Sequence, residues 1–430
     1  MKKINIAIIG LGYVGLPLAI EFAKKYKVLG YDIDENRVSE LQNGNDHTGE
    51  ADLPELSSAL KINNNNTNVG LTFSSNESML RDCNIYIVTV PTPIDKNNAP
   101  DLRPLIKASA LIGRVISKGD IVIYESTTYP GCTEEDCVPV IEQVSGLKFN
   151  IDFYAGYSPE RINPGDKNRK LTNIVKVTSG STPEVAEIVD NLYSSIIEAG
   201  THKASSIKIA EASKIVENVQ RDVNISFVNE LALIFDKMGI DTNEVLDAAS
   251  TKWNFVKYTP GLVGGHCISV DPYYLASKAE KLGYSPKVIL SGREVNNSIA
   301  PFIAEKVLKL IAQKSQLIEN INVLILGITF KEDCPDLRNT KVVDIYKALI
   351  VNGVNVDICD HLADAQEVKE ECGIDIINAV DKNKEYSAII LAVAHQEFMD
   401  NFDFEHYHKS GTVIFDVKGK IDRRWVDGRL

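Results

Sequence analysis

A cysteine follows a glycine pair and a histidine in the run Tyr258-Thr-Pro-Gly-Leu-Val-Gly-Gly-His-Cys-Ile-Ser-Val-Asp271. Glycine permits positive φ and lets backbone approach a ligand closely. A thiol placed behind Gly264 and Gly265 can be presented to a bound substrate. Free cysteine is otherwise a small buried hydrophobe, and both readings of Cys267 stand on this run alone. Asp271 lies four residues beyond the thiol, on the same face if the chain turns helical there.

A second chemical signal lies near the start. Gly10-Leu-Gly-Tyr-Val-Gly15 follows the apolar run Ile4–Ile9 and opens a helical pattern that continues to about Lys25. An acid, Asp32, ends the next strand-like run, Val28–Asp32. A glycine fingerprint in that context predicts dinucleotide binding. Gly10 permits the turn, Gly12 admits the pyrophosphate to backbone N–H groups, and Gly15 allows close helix packing. Tyr13 and Val14, inside the loop, count among the cofactor contacts. The Asp32 carboxylate suits ribose hydroxyls and repels a 2′-phosphate, so NAD is expected rather than NADP. Arg37, nearby, either tolerates such a phosphate or is a solvated surface charge.

These groups need a scaffold. A chain of 430 residues has room for two or three domains. The net charge of −13 argues against nucleic acid or an anionic membrane as partner. Seven scattered cysteines without a CxxC pair suit a reducing cytoplasm better than a disulfide scaffold. The histidines form no HxxxH or HExxH pattern, and no metal is expected. The apolar start after Lys2 and Lys3 carries glycines and ends in Glu21, which reads as strand and helix rather than as a signal peptide.

Ile85–Val90 and Ile121–Tyr124 read as further strands of a βαβ series, and Asn63–Asn66 as a polar loop. From Ala204 to Met238 the pattern is one long helix, apolar on more than one face, as expected between domains or in a dimer. A second βαβ rhythm starts near Asn322, with Val323–Leu326, Val356–Cys359, Ile389–Val393 and Val413–Phe415 as strands. The expected fold is α/β, with two Rossmann-like doubly wound domains joined by a helical central domain. The predicted spans are 1–202, 203–305 and 318–430.

Taken in order, the glycine fingerprint, Val90-Pro-Thr-Pro93, Glu125-Ser-Thr-Thr128, Ser158-Pro-Glu-Arg161, the helix with Lys214, the Cys267 loop and Gly327-Ile-Thr-Phe-Lys-Glu-Asp-Cys-Pro-Asp-Leu-Arg338 closely resemble the nucleotide-sugar 6-dehydrogenases over nearly the whole chain. That family has an NAD domain, a helical dimerisation domain and a UDP-binding domain. The resemblance implies Cys267 as nucleophile. It implies Lys214 and Asn218 as holders of the C6 oxygen, and Asp271 as the acid that activates water or orients Lys214. Glu160 resembles the acid/base of thioester hydrolysis, and Thr127 the threonine that positions water. Thr92 and Thr127 are expected at the cofactor, and Arg338 is expected to reach it across the cleft. Tyr258, Gly261 and Gly264 belong to the sugar-nucleotide loop, and Phe330 and Lys331 face the substrate. Without the resemblance, Lys214 reads as an exposed helix residue.

The wording departs from the glucose enzymes at Ser158-Pro-Glu-Arg-Ile-Asn-Pro-Gly165, where Pro164 replaces a glutamate, and at Gly264–Asp271. This resembles the N-acetylhexosamine branch. The expectation is a cytoplasmic, homodimeric, four-electron dehydrogenase acting on UDP-N-acetylglucosamine or UDP-N-acetylgalactosamine for surface polysaccharide. UDP-N-acetylmannosamine and UDP-glucose are the alternatives. Arg161, Lys252 and Arg293 are candidates for the missing substrate arginine. A two-electron dehydrogenase with a structural cysteine, or a non-catalytic nucleotide-sugar sensor, would be the competing classes.

Overall fold

The computed structural model describes residues 3–49, 51–65, 69–95, 98–162, 169–265, 267–314, 321–381 and 384–430. Asn66, Pro164, Gly165, His266 and the expected domain start at 318 lie outside them. The chain forms two compact units, 1–217 with 273–283 and 218–272 with 284–430. The division falls inside the long helix and again inside a later one, so the stretch 203–305 is shared between the units.

In the first unit β1 (Asn5–Ile9), β2 (Lys27–Tyr31), β3 (Gly70–Ser74), β4 (Ile85–Val88), β5 (Ile121–Tyr124) and β6 (Tyr154–Tyr157) form a parallel sheet in the order β3-β2-β1-β4-β5-β6. The order reverses beside β1, the switch point at which doubly wound sheets bind ligands. The strands are short runs of apolar residues because helices cover both faces. Leu16, Leu18, Phe22, Val189 and Leu192 pack with Ile6, Ile8 and Ile123 in one core. Helix Pro183–Ser194 starts on a Thr182 cap with proline in its first turn. A small parallel pair, β7 (Lys176–Thr178) and β8 (Thr201–Lys203), completes the unit. Asn63–Asn65, expected in a loop, instead end the helix Leu53–Asn65. The pattern Leu53, Leu56, Leu60 supplies a helical apolar stripe that outweighs the poor propensity of three asparagines.

In the second unit β9 (Asn322–Leu326), β10 (Asn355–Cys359), β11 (Ala388–Leu391), β12 (Val413–Asp416) and β13 (Gly428–Arg429) are parallel in the order β10-β9-β11-β12-β13. The two sheets share a device that the amino-acid pattern hides. After β1, Gly10 N–H donates to the Tyr31 carbonyl and Leu11 N–H to Asp32 Oδ2, at 2.9 and 2.8 Å. After β9, Gly327 N–H donates to the Cys359 carbonyl and Ile328 N–H to Asp360 Oδ2, at 2.8 and 2.7 Å. Each time a positive-φ glycine turns the chain and an acid past the neighbouring strand holds the turn.

The long helix runs from Ile207 to Met238. Ile209, Val216, Phe227 and Ile234 stay exposed along it. Their spacings of 7, 11 and 7 residues place them on one face of a 3.6-residue helix.

Candidate functional site

The cofactor turn is built as its residue types require. Gly10 has φ +98°, and a Cβ on Gly15 would lie 1.9 Å from the Gly10 carbonyl oxygen. A Cβ on Gly12 would meet nothing within 4 Å, so its face is open to a ligand. The Asp32 carboxylate accepts from Leu11 N–H and from Asp34 N–H at 3.0 Å. A carboxylate has about four lone-pair sites, so capacity remains for ribose hydroxyls.

Arg37 is neither a surface charge nor a free cation for a phosphate. It is 6% exposed. Its Nε donates to the Leu11 carbonyl at 3.0 Å, Nη1 to Glu40 at 3.0 Å and Nη2 to Asp46 at 2.7 Å. The side chain props the glycine turn from behind. With this cation occupied and Asp32 expected at the ribose, kcat/KM for NAD should exceed that for NADP by at least tenfold, equivalent to about 1.4 kcal/mol. Equal values for the two cofactors would remove Asp32 from its role.

Thr92 is buried, and the next carbonyl, Pro93, accepts from Tyr274 Oη at 3.1 Å. Tyr13 and Val14 fall between the open Gly12 and the helix start at Gly15. Thr127 is half-buried just past β5. The loop behind it is tied to the long helix by Glu211, which the residue pattern did not single out. The Glu211 carboxylate accepts from Gly131 N–H at 2.5 Å, Thr133 N–H at 2.9 Å and Thr128 Oγ1 at 3.3 Å. Burial pushes this carboxyl up to about 7 despite those donors.

Glu160 does not begin a helix. Its Oε1 accepts from the N–H groups of Arg161 and Ile162 at 2.6 Å each, and its Oε2 from Lys176 at 3.3 Å. Lys176 was not anticipated either. It is 2% exposed and also donates to Glu125 Oε2 at 2.7 Å and to the Pro159 carbonyl at 3.0 Å. Tyr193 Oη donates to the other Glu125 oxygen. The available signal was Lys176 itself, a cation set in the apolar run Ile174-Val-Lys-Val177. A buried charge must find a partner. Arg161, a candidate for substrate recognition, instead pairs with Glu217 at 2.8 Å and the Val175 carbonyl at 2.8 Å.

Lys214 is buried rather than exposed, at 8%. Among the described residues no hydrogen bond or ion pair holds its ammonium. No described group competes for this ammonium, so it can donate to a ligand oxygen. Asn218 lies four residues further along the same helix.

In the second unit Asp271 and Asn218 meet. The chain turns after Cys267, whose carbonyl accepts from Val270 and Asp271 N–H at 3.0 and 2.8 Å. This turn leads into helix Asp271–Lys281 and brings the 1% exposed Asp271 carboxylate within 2.5 Å of Asn218 Nδ2. Asp271 therefore orients Asn218, a partner the resemblance did not indicate. One amide N–H of Asn218 remains for an oxygen. Cys267 is half-buried and has no disulfide.

The glycine pair has a tertiary reason besides ligand approach. A Cβ on Gly264 would lie 2.7 Å from the Asn339 carbonyl oxygen, and one on Gly265 2.8 Å from the Phe330 ring. Gly265 N–H donates to the Arg338 carbonyl at 3.1 Å. Gly261 is held by Asn229, which accepts its N–H at 2.8 Å and donates to its carbonyl at 3.0 Å. A recess at the carboxyl ends of β9, β11 and β12 is lined by Gly264, Thr329, Phe330, Lys331, Ala392, Val393 and Lys418. It sits where the strand order reverses; Lys331 lines it, and Lys418 pairs there with Glu332 at 2.9 Å. Tyr258 is half-buried. The Arg338 guanidinium lies against Asp336, with Nη2 to Oδ2 at 2.5 Å. Arg293, the other buried candidate, is 3% exposed and pairs with Asp222 at 2.6 Å, a structural ion pair between helices. Lys252 is exposed.

Models of the UDP-glucose/GDP-mannose dehydrogenase family match three stretches: its NAD binding domain at residues 4–197, its central domain at 208–298 and its UDP binding domain at 324–423. The chain is 54% identical over 433 residues to a UDP-N-acetyl-D-glucosamine 6-dehydrogenase of Pseudomonas aeruginosa, covering 100% of both. It is 51% identical to a protein of the same description from Salmonella typhi, over 100% of this chain and 99% of that one. Its fold is similar to the solved UDP-D-ManNAc dehydrogenase of Pyrococcus horikoshii, with TM-score 0.88, 29% identity and coverage of 99% and 98%.

Proposed function

The chain belongs to the UDP-glucose/GDP-mannose dehydrogenase family, and from that premise we propose that this NAD-dependent nucleotide-sugar dehydrogenase oxidises the C6 alcohol of UDP-N-acetylglucosamine to the uronic acid. The observation that carries the substrate is full-length identity of 54% and 51% to relatives described with that activity. The Ser158–Gly165 and Gly264–Asp271 wording supports the same branch.

Alcohol to acid is a four-electron change, so NAD, which Gly10–Gly15 and Asp32 would hold, would supply a hydride acceptor twice. The first hydride leaves an aldehyde at C6. The Cys267 sulfur adds to it as a thiohemiacetal, whose hydride loss leaves a thioester, and water releases the carboxylate. Negative charge develops on the C6 oxygen in these steps. Lys214 and Asn218, the latter aimed by Asp271, are the donors proposed to stabilise it. Glu160 takes the proton of the attacking water and Thr127 positions that water. The recess with Phe330 and Lys331 receives the nucleotide, Tyr258, Gly261 and Gly264 the sugar side, and Arg338 contacts the cofactor. The roles of Cys267, Glu160 and Thr127 rest on residue type and motif order. Supply of surface polysaccharide from the cytoplasm is the physiological reading that the resemblance supports.

A panel of UDP-sugars assayed for NADH tests the substrate. UDP-N-acetylglucosamine is expected to give the highest kcat/KM and two NADH per sugar. A higher kcat/KM with UDP-glucose in the same buffer overturns the assignment, and one NADH per sugar overturns the four-electron course.

We also propose a homodimer. The stripe Ile209, Val216, Phe227 and Ile234 exposes large apolar side chains along one helix face, a pattern that association covers. Light scattering at micromolar concentration should give at least twice the 47.4 kDa chain mass. A monomer at that concentration is the contrary result.

A further inference from the structure

We propose that Lys176 and Glu125 are positioning residues that hold the Glu160 carboxylate ready for the release step. The inference rests on the reading of Glu160 as the base of thioester hydrolysis. In that step the water oxygen bonds to C6 while one water proton passes to Glu160. The C6–S bond breaks and sulfur leaves as thiolate. The second proton departs from the acid product to solvent.

The base must keep one oxygen fixed and the other able to accept a proton. The structure divides Glu160 in that way. Oε1 is pinned by two backbone N–H groups at 2.6 Å. Oε2 has, among the described residues, Lys176 alone, at 3.3 Å. Lys176 has three N–H donors, and each has an acceptor: Glu125 at 2.7 Å, the Pro159 carbonyl at 3.0 Å and Glu160. The ammonium is thus centred on Glu125. It offsets the repulsion between two buried carboxylates without sitting tightly on the oxygen that must take the proton.

The groups facing Lys176 come from three elements. They are Glu125 past β5, Pro159 and Glu160 past β6, and Tyr193 of helix Pro183–Ser194, whose ring centroid lies 5.4 Å from the ammonium. Arg161 brings no second cation, because its guanidinium pairs with Glu217. Two carboxylates therefore share one ammonium. Burial pushes the Glu125 carboxyl up to about 7, with Lys176 opposing and the Glu160 charge adding to the rise.

The test uses the full-length enzyme and the charge-balanced double variant Lys176→Met/Glu125→Gln, with Glu125→Gln alone as the isosteric variant should the double one fail to fold. Both hydride transfers should proceed at near wild-type rate in the first turnover. Steady-state kcat should fall roughly tenfold to a hundredfold, within the share that acid–base catalysis contributes, with KM for NAD changed less than about twofold. Intact mass spectrometry of quenched samples should show the acyl-enzyme accumulating. Equal slowing of hydride transfer and release, or unchanged kcat without an adduct, overturns the inference. Glu160→Gln is the control. It should accumulate the same adduct, and if it does not, the reading of Glu160 itself has failed. Adduct in Glu160→Gln but none in the Lys176 and Glu125 variants removes the positioning role alone.

Discussion

Cys267→Ala is expected to abolish formation of the uronic acid while leaving NAD affinity nearly unchanged. In the proposed course the thiol serves only the covalent part of the reaction. The residues proposed to hold NAD, Gly10–Gly15 and Asp32, belong to a sheet whose core does not include Cys267. Without the sulfur, aldehyde has nothing to trap it for a second hydride transfer. Cys267→Ser sharpens the result. A serine hydroxyl is a poor trap, and an ester turns over slowly, so an acyl-enzyme adduct near the substrate mass should accumulate and be visible by intact mass spectrometry. Two NADH per sugar from Cys267→Ala at near wild-type rate would return Cys267 to its other reading, a packed thiol.

Lys214→Ala should slow both oxidation steps by about 10²–10³-fold, the usual loss when one oxyanion donor is removed. The side chain is largely buried, and its ammonium has no partner among the described residues. No hydrogen bond or ion pair among the described residues is lost with it, so thermal stability should hold while activity collapses. Stopped-flow NADH traces with melting curves on the same samples separate the two effects. A variant with near wild-type rates, or one that loses activity only by unfolding, contradicts the oxyanion role. Asn218→Asp is a useful companion, since it sets a second carboxylate against Asp271 at 2.5 Å and should impair the same steps.

Much of the scaffold was legible before folding. Strands β1, β5, β9 and β12 coincide closely with the apolar runs read for them, and the long helix starts three residues later than expected, at Ile207 rather than Ala204. Sheet strands buried on both faces are written as contiguous apolar runs, and a dinucleotide turn is written in six consecutive residues. Arg37, Arg161 and Arg293 were not legible in their true settings. A cation's role depends on which carboxylate comes to lie beside it, and Asp46, Glu217 and Asp222 are placed by packing rather than by local spacing.

The amino-acid order alone therefore determined what is local: the glycine turn with Asp32 past the next strand, the thiol behind Gly264 and Gly265, and the succession of α/β, helical and α/β segments. Each is a property of backbone freedom or hydrophobic period within a short window. Only the tertiary structure decided which side chains share a charge. Glu125 and Glu160 follow the neighbouring strands β5 and β6, while Lys176, 51 residues from Glu125, starts a strand of the separate β7–β8 pair, and tertiary packing brings the three together. Asn218 and Asp271 are 53 residues apart and meet because the chain turns helical behind Cys267. Such contacts depend on long-range packing, which periodicity along the chain does not encode.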